Sequence, residues 1–154
     1  MTPKELTLKY PIISEQIEED ELLVILEELN KVLLNQIDGD ICEFGCFVGT
    51  TSLFIQRLLL TNNSNKKLYL YDSFDGLPEK TNEDSSAAGE DFISGELLAT
   101  KSQLKLNFKK SNLPTPKIKK AWFKDLKQKD IPKQINFAFL DGDFYSSIKD
   151  CLNL

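Results

Sequence analysis

Two acidic residues stand where apolar stretches of the chain end, and both could hold a ligand. Glu43 closes the stretch that begins at Ile41, where a buried carboxylate is costly unless it has a partner. A ligand ammonium group or a pair of backbone N–H groups would supply one. Asp72 follows a second apolar stretch, 23 residues after Gly49. This position suits an acid that accepts hydrogen bonds from two ribose hydroxyls, which is the interpretation we favour. An N-cap or an Asx turn is the alternative.

A glycine turn follows Glu43 directly. Gly45 and Gly49 flank it, and glycine tolerates a positive φ and the close approach of a ligand. Backbone N–H groups at the start of the next helix would face the carboxyl end of the strand, where open α/β sheets bind ligands. The spacing differs from the G-x-G-x-x-G pattern of dinucleotide-binding proteins, and a tight β-to-α turn without a ligand is the alternative.

The composition excludes several kinds of chemistry. The chain has 154 residues and no histidine, so a histidine base, a histidine-containing triad and the usual histidine metal sites are excluded within it. Cys42, Cys46 and Cys151 lack zinc-ligand spacing. They are predicted to be reduced thiols that pack as small apolar groups in a cytoplasmic protein. No apolar run reaches the length of a membrane span, and the N-terminus lacks a signal-peptide core.

Charge is distributed unevenly along the chain. Residues 1–100 carry 7 Lys or Arg and 19 Asp or Glu, whereas residues 101–133 carry 11 Lys and 2 Asp. The lysines have little aromatic interleaving, and the net charge of the chain is −5. A solvated basic face is therefore favoured over a nucleic-acid site.

The candidate residues need elements that bring them together, and the hydrophobic pattern predicts helices that alternate with strands. Residues 1–12 are expected to be irregular, and residues 79–91 to form an acidic loop that is a candidate lid. The predicted helices are 14–35, 52–60 with Thr50 or Thr51 as N-cap, 94–110 and 145–154. The predicted strands are 41–44, 67–71, 117–123 and 135–140, of which the last is the most clearly buried.

Strands separated by crossovers predict an α/β fold with a parallel sheet and flanking helices. Right-handed crossovers that reverse after the first strand give the strand order 3-2-1-4. The length predicts a single domain over residues 1–154. In it, residues 1–37 would be a leader and a cover helix, and residues 38–154 the ligand-binding core.

Three stretches, in this order, resemble class I S-adenosylmethionine-dependent methyltransferases, and more narrowly the macrocin O-methyltransferase family of sugar and macrolide tailoring enzymes. They are the segments 39–45 (GDICEFG), 72–78 (DSFDGLP) and 139–145 (FLDGDFY). Supporting matches lie at 95–97 and 121–123, and the resemblance covers about residues 37–152. It implies a Rossmann-like fold, S-adenosylmethionine as cofactor, and methyl transfer to a hydroxyl of a small molecule such as a sugar or a secondary metabolite.

The resemblance also implies roles for individual residues. Glu43 and Gly45 would line the methionine end of the cofactor, and Asp72 would hold the ribose. Asp141 would be the catalytic residue, as ligand of a divalent metal, expected to be Mg²⁺, that also contacts the acceptor hydroxyl; a turn with helix-capping acids is the alternative. The other predicted cofactor-binding residues are Cys46, Phe47, Gly49, Ser73, and, near the adenine, Trp122 and Phe123.

Members of the family continue past the position of Leu154 with a strand that ends in two acids, and with two further strands. We therefore expect a C-terminally truncated domain whose uncovered sheet edge favours homo-oligomers. The alternatives to methyl transfer are a non-catalytic cofactor-binding or interaction module and, less favoured, a nicotinamide-dependent oxidoreductase.

Overall fold

The computed structural model describes residues 1–85 and 92–154. No helix in these two ranges is long and apolar enough to cross a bilayer. The helices are α1 (Pro3–Lys9), α2 (Glu19–Leu34), α3 (Thr50–Thr61), α4 (Lys101–Lys110) and α5 (Tyr145–Leu152). The strands are β1 (Asp40–Phe44), β2 (Leu68–Asp72), β3 (Lys117–Lys120) and β4 (Ile135–Leu140). Short 3-10 turns lie at Asn82–Asp84, Phe123–Asp125 and Gln128–Asp130.

The four strands form one sheet in the order β3-β2-β1-β4, with every neighbouring pair parallel. The predicted α/β architecture and strand order are therefore confirmed. In the register, Phe44 lies opposite both Tyr71 and Leu140. The central strand and its two neighbours consequently end at the same level, and the residues that follow them meet at one edge of the sheet.

Alternate residues of β1 point to opposite faces of the sheet, and each face has its own core. Ile41 packs with α2 and α3 in the larger cluster, whereas Cys42 and Phe44 pack with Tyr71 and Cys151 in the smaller one. The side chain of Glu43 lies on the same face of the sheet as that of Ile41 and points toward α3. The pleat of the strand thus places a carboxylic acid under a helix, inside the apolar core.

The prediction of an irregular leader is wrong for residues 3–9, which form α1. Thr2 Oγ1 accepts a hydrogen bond from Glu5 N at 3.3 Å, and Glu5 Oε2 accepts one from Thr2 N at 2.7 Å, so a capping box starts the helix. The long helix predicted from residue 14 begins only at Glu19. Residues 11–17, here called the N-terminal strap, run between α1 and α2 without helical structure.

Two other predicted boundaries are also wrong. Helix α4 begins at Lys101 instead of residue 94, because Gly95 and Leu97 have positive φ and Thr100 caps the helix from outside. Strand β3 ends at Lys120, and the chain then bends into the 3-10 turn Phe123–Asp125. Part of the predicted lid, residues 86–91, lies outside the described residues.

Strand β4 is less buried than its apolar sequence predicts. Ile135 is 39% exposed, and the other residues of the strand are partly accessible or exposed. The reason is its position, because β4 is an outer strand of the described sheet. The opposite outer strand, β3, carries Lys117, Lys119 and Lys120, which are the kind of residues that discourage edge-to-edge pairing.

Candidate functional site

The ends of β1, β2 and β4 are joined by backbone hydrogen bonds around Gly45. Gly45 N donates to Tyr71 O, and Asp141 N donates to Phe44 O, both at 2.8 Å. Gly45 has φ +88°, and a Cβ placed on it would lie 2.0 Å from Asp141 O. A glycine is therefore required here, because any side chain would push the end of β4 away from β1.

Asp72 bridges the end of β2 to the glycine turn. Its Oδ2 accepts hydrogen bonds from the backbone N–H groups of Cys46 and Phe47, both at 2.9 Å. Its Oδ1 accepts one from Phe74 N at 2.7 Å, which is the Asx turn considered as the alternative for this residue. The carboxylate of Asp72 thus organises two loops at once.

Glu43 is 1% exposed, and its partner is the hydroxyl of Ser52, which donates to Glu43 Oε2 at 2.5 Å. Of the two partners considered for Glu43, the pair of backbone N–H groups is directed at Asp72 instead, which leaves a ligand ammonium as the other candidate. Burial raises the pKa of Glu43 to about 8; the Ser52 hydrogen bond opposes this, and the nearby charges of Asp141 and Asp72 add to it. Without a cationic partner Glu43 is therefore mostly protonated at pH 7.

Gly49, and not Thr50 or Thr51, occupies the N-cap position of α3, so the predicted cap is wrong. Gly49 has φ +90°, and a Cβ placed on it would lie 2.3 Å from Leu104 Cδ1. A glycine here lets α4 pack closely against the start of α3. Gly49 lines neither of the cavities described next.

Two adjoining cavities open at this edge of the sheet. The larger has a volume of about 750 Å³, within the range of small-molecule sites. The smaller has a volume of about 30 Å³ and lies beside Glu43 and Cys46. Gln16, Gly45, Phe47 and Asp141 line both. The predicted site residues that line the larger cavity are Gly45, Phe47, Asp72, Ser73, Trp122, Phe123 and Asp141.

Two walls of the larger cavity are fixed by local contacts. The Ser73 hydroxyl donates to Gly76 O at 2.9 Å and accepts from Asp75 N at 3.1 Å, which closes the turn after β2. Phe123 packs edge-to-face on Phe44, with ring centroids 5.8 Å apart. The aromatic wall predicted at residues 122–123 is thereby attached to the central strand.

The cavity walls are acidic. Asp141 faces the open space and is accessible, yet the surrounding protein removes part of its hydration, and this raises its pKa to about 6, with Asp143 and Glu21 contributing. Partial burial, followed by the charge of Asp72, also raises the pKa of Asp143. Neighbouring carboxylates that raise one another's pKa in this way favour a bound cation.

The residues present do not complete a metal site. In the ranges 1–85 and 92–154 no group of three or more His, Cys, Asp or Glu side chains is placed to hold a metal ion. Mg²⁺ requires nearly octahedral oxygen ligation and binds poorly to a single protein carboxylate. Asp141 alone therefore does not fit a magnesium site made by this part of the chain.

The three cysteines are free and buried, as predicted. Burial, with the charges of Asp72 and Glu43, raises the pKa of Cys46 well above its ordinary value. Cys46 consequently stays a thiol, and what it offers Asp72 is its backbone N–H group.

Several lining residues were missed by sequence reasoning. Gln16 lines both cavities although it lies on the N-terminal strap, outside every motif. Its only signal is a short polar interruption before α2, which is too weak to indicate a site. Other missed residues that line the larger cavity are Asp143, Ser146, Ser147 and Asp150.

Comparison with known proteins assigns this chain to a family. The family model described as Macrocin-O-methyltransferase (TylF) matches residues 12–154. A relative from Streptomyces olivaceus, named 8-demethyl-8-(2,3-dimethoxy-alpha-L-rhamnosyl)-tetracenomycin-C 4'-O-methyltransferase, is 29% identical over 128 residues, covering 79% of this chain and 49% of the relative. The chain thus spans about half the length of the curated relative it matches.

Two solved structures share the fold. The O-methyltransferase NovP superposes with a TM-score of 0.75 at 24% identity, covering 89% of this chain and 59% of NovP. The calicheamicin methyltransferase CalS11 superposes with a TM-score of 0.71 at 17% identity, covering 98% of this chain and 68% of CalS11. The fold is therefore Rossmann-like, and because the family match covers most of its length, the chain belongs to the macrocin O-methyltransferase family.

Proposed function

We propose that this chain binds S-adenosylmethionine at the carboxyl edge of its sheet and serves methyl transfer to a hydroxyl of a small, sugar-bearing molecule. The observation that carries the proposal is the family match over residues 12–154. The paired cavities at the ends of β1, β2 and β4 support it. The tetracenomycin relative is named for a 4'-O-methylation of a rhamnosyl compound, which favours a sugar hydroxyl as acceptor.

Asp72, Ser73, Trp122 and Phe123 would bind the adenosine part of the cofactor. A carboxylate has about four lone-pair sites, and three backbone N–H groups already bond to Asp72. One site remains, on Oδ1, so Asp72 can accept one ribose hydroxyl without losing a bond. The two-hydroxyl contact expected from the sequence would displace the bond from Phe74 N.

Glu43, Gly45 and Asp141 surround the place proposed for the methionine part. The sulfonium and ammonium groups of the cofactor are cations, which suits the acidic lining. In the transfer, the bond from the acceptor oxygen to the methyl carbon forms as the bond from sulfur to that carbon breaks, and the sulfonium becomes a thioether. The hydroxyl proton passes to a carboxylate of the cavity wall or to solvent. The chain's contribution is to hold both reactants in line.

We also propose that Asp141 supplies one carboxylate to a Mg²⁺ site in which the acceptor and water would provide further oxygen ligands. Its support is the accessible position of Asp141 on the walls of both cavities and the habit of Mg²⁺ of using one or two protein carboxylates. Such an ion would lower the pKa of the acceptor hydroxyl.

Calorimetry with S-adenosylhomocysteine tests the cofactor assignment. The wild-type protein should bind it, and Asp72→Ala should bind it at least tenfold more weakly. If the wild type does not bind the nucleoside at all, the proposal is wrong. Methyl transfer is then tested with labelled S-adenosylmethionine and a panel of glycosylated secondary metabolites.

A second candidate is cofactor binding without methyl transfer. The observation that favours it is that the best-defined contacts at this edge of the sheet, those of Asp72 and Glu43, lie at the proposed cofactor site. It predicts that S-adenosylhomocysteine binds while no acceptor becomes labelled. Membership of the family disfavours the nicotinamide-dependent alternative, which titration with a reduced dinucleotide would test directly.

Three further proposals concern the domain organisation, the cellular location and the oligomeric state of the protein. We propose that residues 1–37 cover the sheet while residues 38–154 hold the cofactor, within one domain. Free buried thiols favour a cytoplasmic location. The outer position of β4 favours homo-oligomers, which light scattering after size exclusion would detect.

A further inference from the structure

The N-terminal strap reaches the proposed cofactor site from outside the three sequence motifs. Its residues Ser14, Gln16 and Ile17 line the smaller cavity, and Gln16 lines the larger one as well. The strap therefore contributes, with Gly45 and Phe47 of the glycine turn, to the wall that the two cavities share.

Contacts with α3 hold the strap in place. Ser14 Oγ and Thr50 Oγ1 are hydrogen-bonded at 2.8 Å. Before the strap, the ring of Tyr10 lies under the guanidinium of Arg57, 4.1 Å from ring centroid to Cζ, and Arg57 is 8% exposed. Thr50 and Arg57 both belong to α3, whose first turn follows the glycine turn. The strap is consequently fixed relative to that turn.

The smaller cavity combines two kinds of polar group. Its acids are Glu43 and Asp141, and its neutral groups are the hydroxyls of Ser14, Thr50 and Thr51 and the carboxamide of Gln16. Neither lysine nor arginine is among the described residues that line it. An α-amino acid head carries an ammonium and a carboxylate. The acids suit the ammonium, whereas the carboxylate requires N–H or O–H donors.

Gln16 is the donor best placed for that carboxylate. The hydroxyls of Ser14 and Thr50 bond to each other, so only one O–H of that pair remains available as a donor. The side chain of Gln16 is exposed and makes no hydrogen bond within residues 1–85 and 92–154, so both of its N–H donors are free to turn inward. A neutral amide also adds no negative charge beside Glu43 and Asp141.

We propose that Gln16 binds the α-carboxylate of the cofactor's amino acid group, with the strap held over the glycine turn by Ser14. This inference rests on the proposed function, because it assigns a new residue to the same cofactor site. It makes the N-terminal strap a binding element that recognises the amino acid head and leaves the nucleoside to the motif residues.

Two ligands that differ only in the amino acid head test it. S-adenosylhomocysteine has the α-carboxylate, and 5′-methylthioadenosine lacks the amino acid head. Gln16→Ala should weaken binding of the first roughly tenfold, the cost of one hydrogen bond to a charged group, and leave binding of the second unchanged. Gln16→Glu should weaken the first further through charge repulsion. Ser14→Ala should show a smaller loss with the same selectivity.

Gln103→Ala, an exposed glutamine of α4 outside both cavities, is the matched control and should bind both ligands as the wild type does. Equal losses for the two ligands in Gln16→Ala, or no loss for either, would overturn the role of Gln16. If the wild type binds neither ligand, the proposed function itself is wrong, and the two failures are thereby distinguished.

Discussion

The carboxylate of Asp72 lies 2.9 Å from the backbone nitrogen of Cys46, and this contact ties the end of β2 to the turn that follows β1. The same oxygen also accepts a hydrogen bond from Phe47 N, at 2.9 Å. The two N–H groups are therefore satisfied before any ligand arrives. The site is held in shape by the side chain that would also contact the ligand, so under the proposed function cofactor affinity and stability would depend on the same residue.

We expect Asp72→Ala to lower the free energy of unfolding by about 1–3 kcal/mol, because it leaves partly buried backbone N–H groups without an acceptor. Asp72→Asn should cost less, since one amide oxygen can serve either the glycine turn or Phe74 N. Urea denaturation measures both values. Asp75→Ala is the control. The side chain of Asp75 is exposed and, among the residues described, bonds only to Lys120, at 2.7 Å, so its loss should cost less than about 0.5 kcal/mol. Equal effects at the two positions would contradict a bridging role for Asp72.

We expect Gly45→Ala to destabilise the protein more than Gly95→Ala. Both glycines have positive φ, +88° and +86°, so alanine costs about 1–2 kcal/mol of backbone strain at either position. Only at Gly45 would the new Cβ also collide with Asp141 O, 2.0 Å away, whereas at Gly95 nothing lies within 4 Å. The difference between the thermal denaturation midpoints of the two variants therefore measures the effect of the collision alone. Similar midpoints would mean that the strand ends can separate at little cost.

Sequence alone was enough for the parts of the site that rest on periodicity and on strand ends. The alternation of helices and strands, with right-handed crossovers, predicted the sheet order. The structure also places Glu43, Asp72 and Asp141, which lie at the ends of three strands, close together. Contacts between distant residues were not predictable in this way. The Ser52 hydroxyl bonds to Glu43 because the first turn of α3 packs on the face of the sheet to which the side chain of Glu43 points.

The errors have a similar origin. Helix α1 was missed because hydrophobic periodicity is a weak signal in a helix of only 7 residues. Its start depends instead on the capping box formed by Thr2 and Glu5. Strand β4 was expected to be buried because its composition is apolar, although the predicted order 3-2-1-4 already placed it at an edge of the sheet, where it has a neighbouring strand on one side only. Gln16 could not be found, since an exposed glutamine between two helices has no distinguishing pattern.

We expect Glu43 to make stability depend on pH. Its pKa rises from an ordinary value of 4.5 to about 8 on folding, so between these values the folded state holds a proton that the unfolded state has lost. The stabilisation is complete below pH 4.5 and is lost as the pH rises through about 8. Glu43→Gln should therefore unfold with a flatter pH profile than the wild type in urea denaturation from pH 5 to pH 8.

Ser52→Ala supplies the companion measurement. The Ser52 hydrogen bond favours the charged form of Glu43 and lowers its pKa. Removing the hydroxyl should therefore raise that pKa and extend the decline in stability, which still begins near pH 4.5, to higher pH. Asp141, whose pKa is raised to about 6, contributes a decline of the same sign in both variants. Identical profiles for the wild type and Glu43→Gln would show that Glu43 is already charged when buried.

The last prediction concerns Asp141 and magnesium. Asn at this position preserves the backbone bond from residue 141 to Phe44 O, 2.8 Å in length, as well as the volume of the side chain, but it removes the charge. Because Glu43 remains beside the place proposed for the ammonium, Asp141→Asn should weaken binding of S-adenosylhomocysteine by less than about tenfold. In a preparation that methylates an acceptor, the variant should lose most of the wild-type turnover. A chelator should lower wild-type turnover, and added Mg²⁺ should restore it, but added Mg²⁺ should not rescue the variant.

Asp150→Asn is the matched control, because Asp150 also lines the larger cavity, and this variant should keep its response to magnesium. If Asp141→Asn methylates at the wild-type rate, or if the chelator leaves wild-type turnover unchanged, Asp141 is not a metal ligand. The agent that deprotonates the acceptor must then be sought among the remaining carboxylates and lysines of the cavity, because the chain contains no histidine.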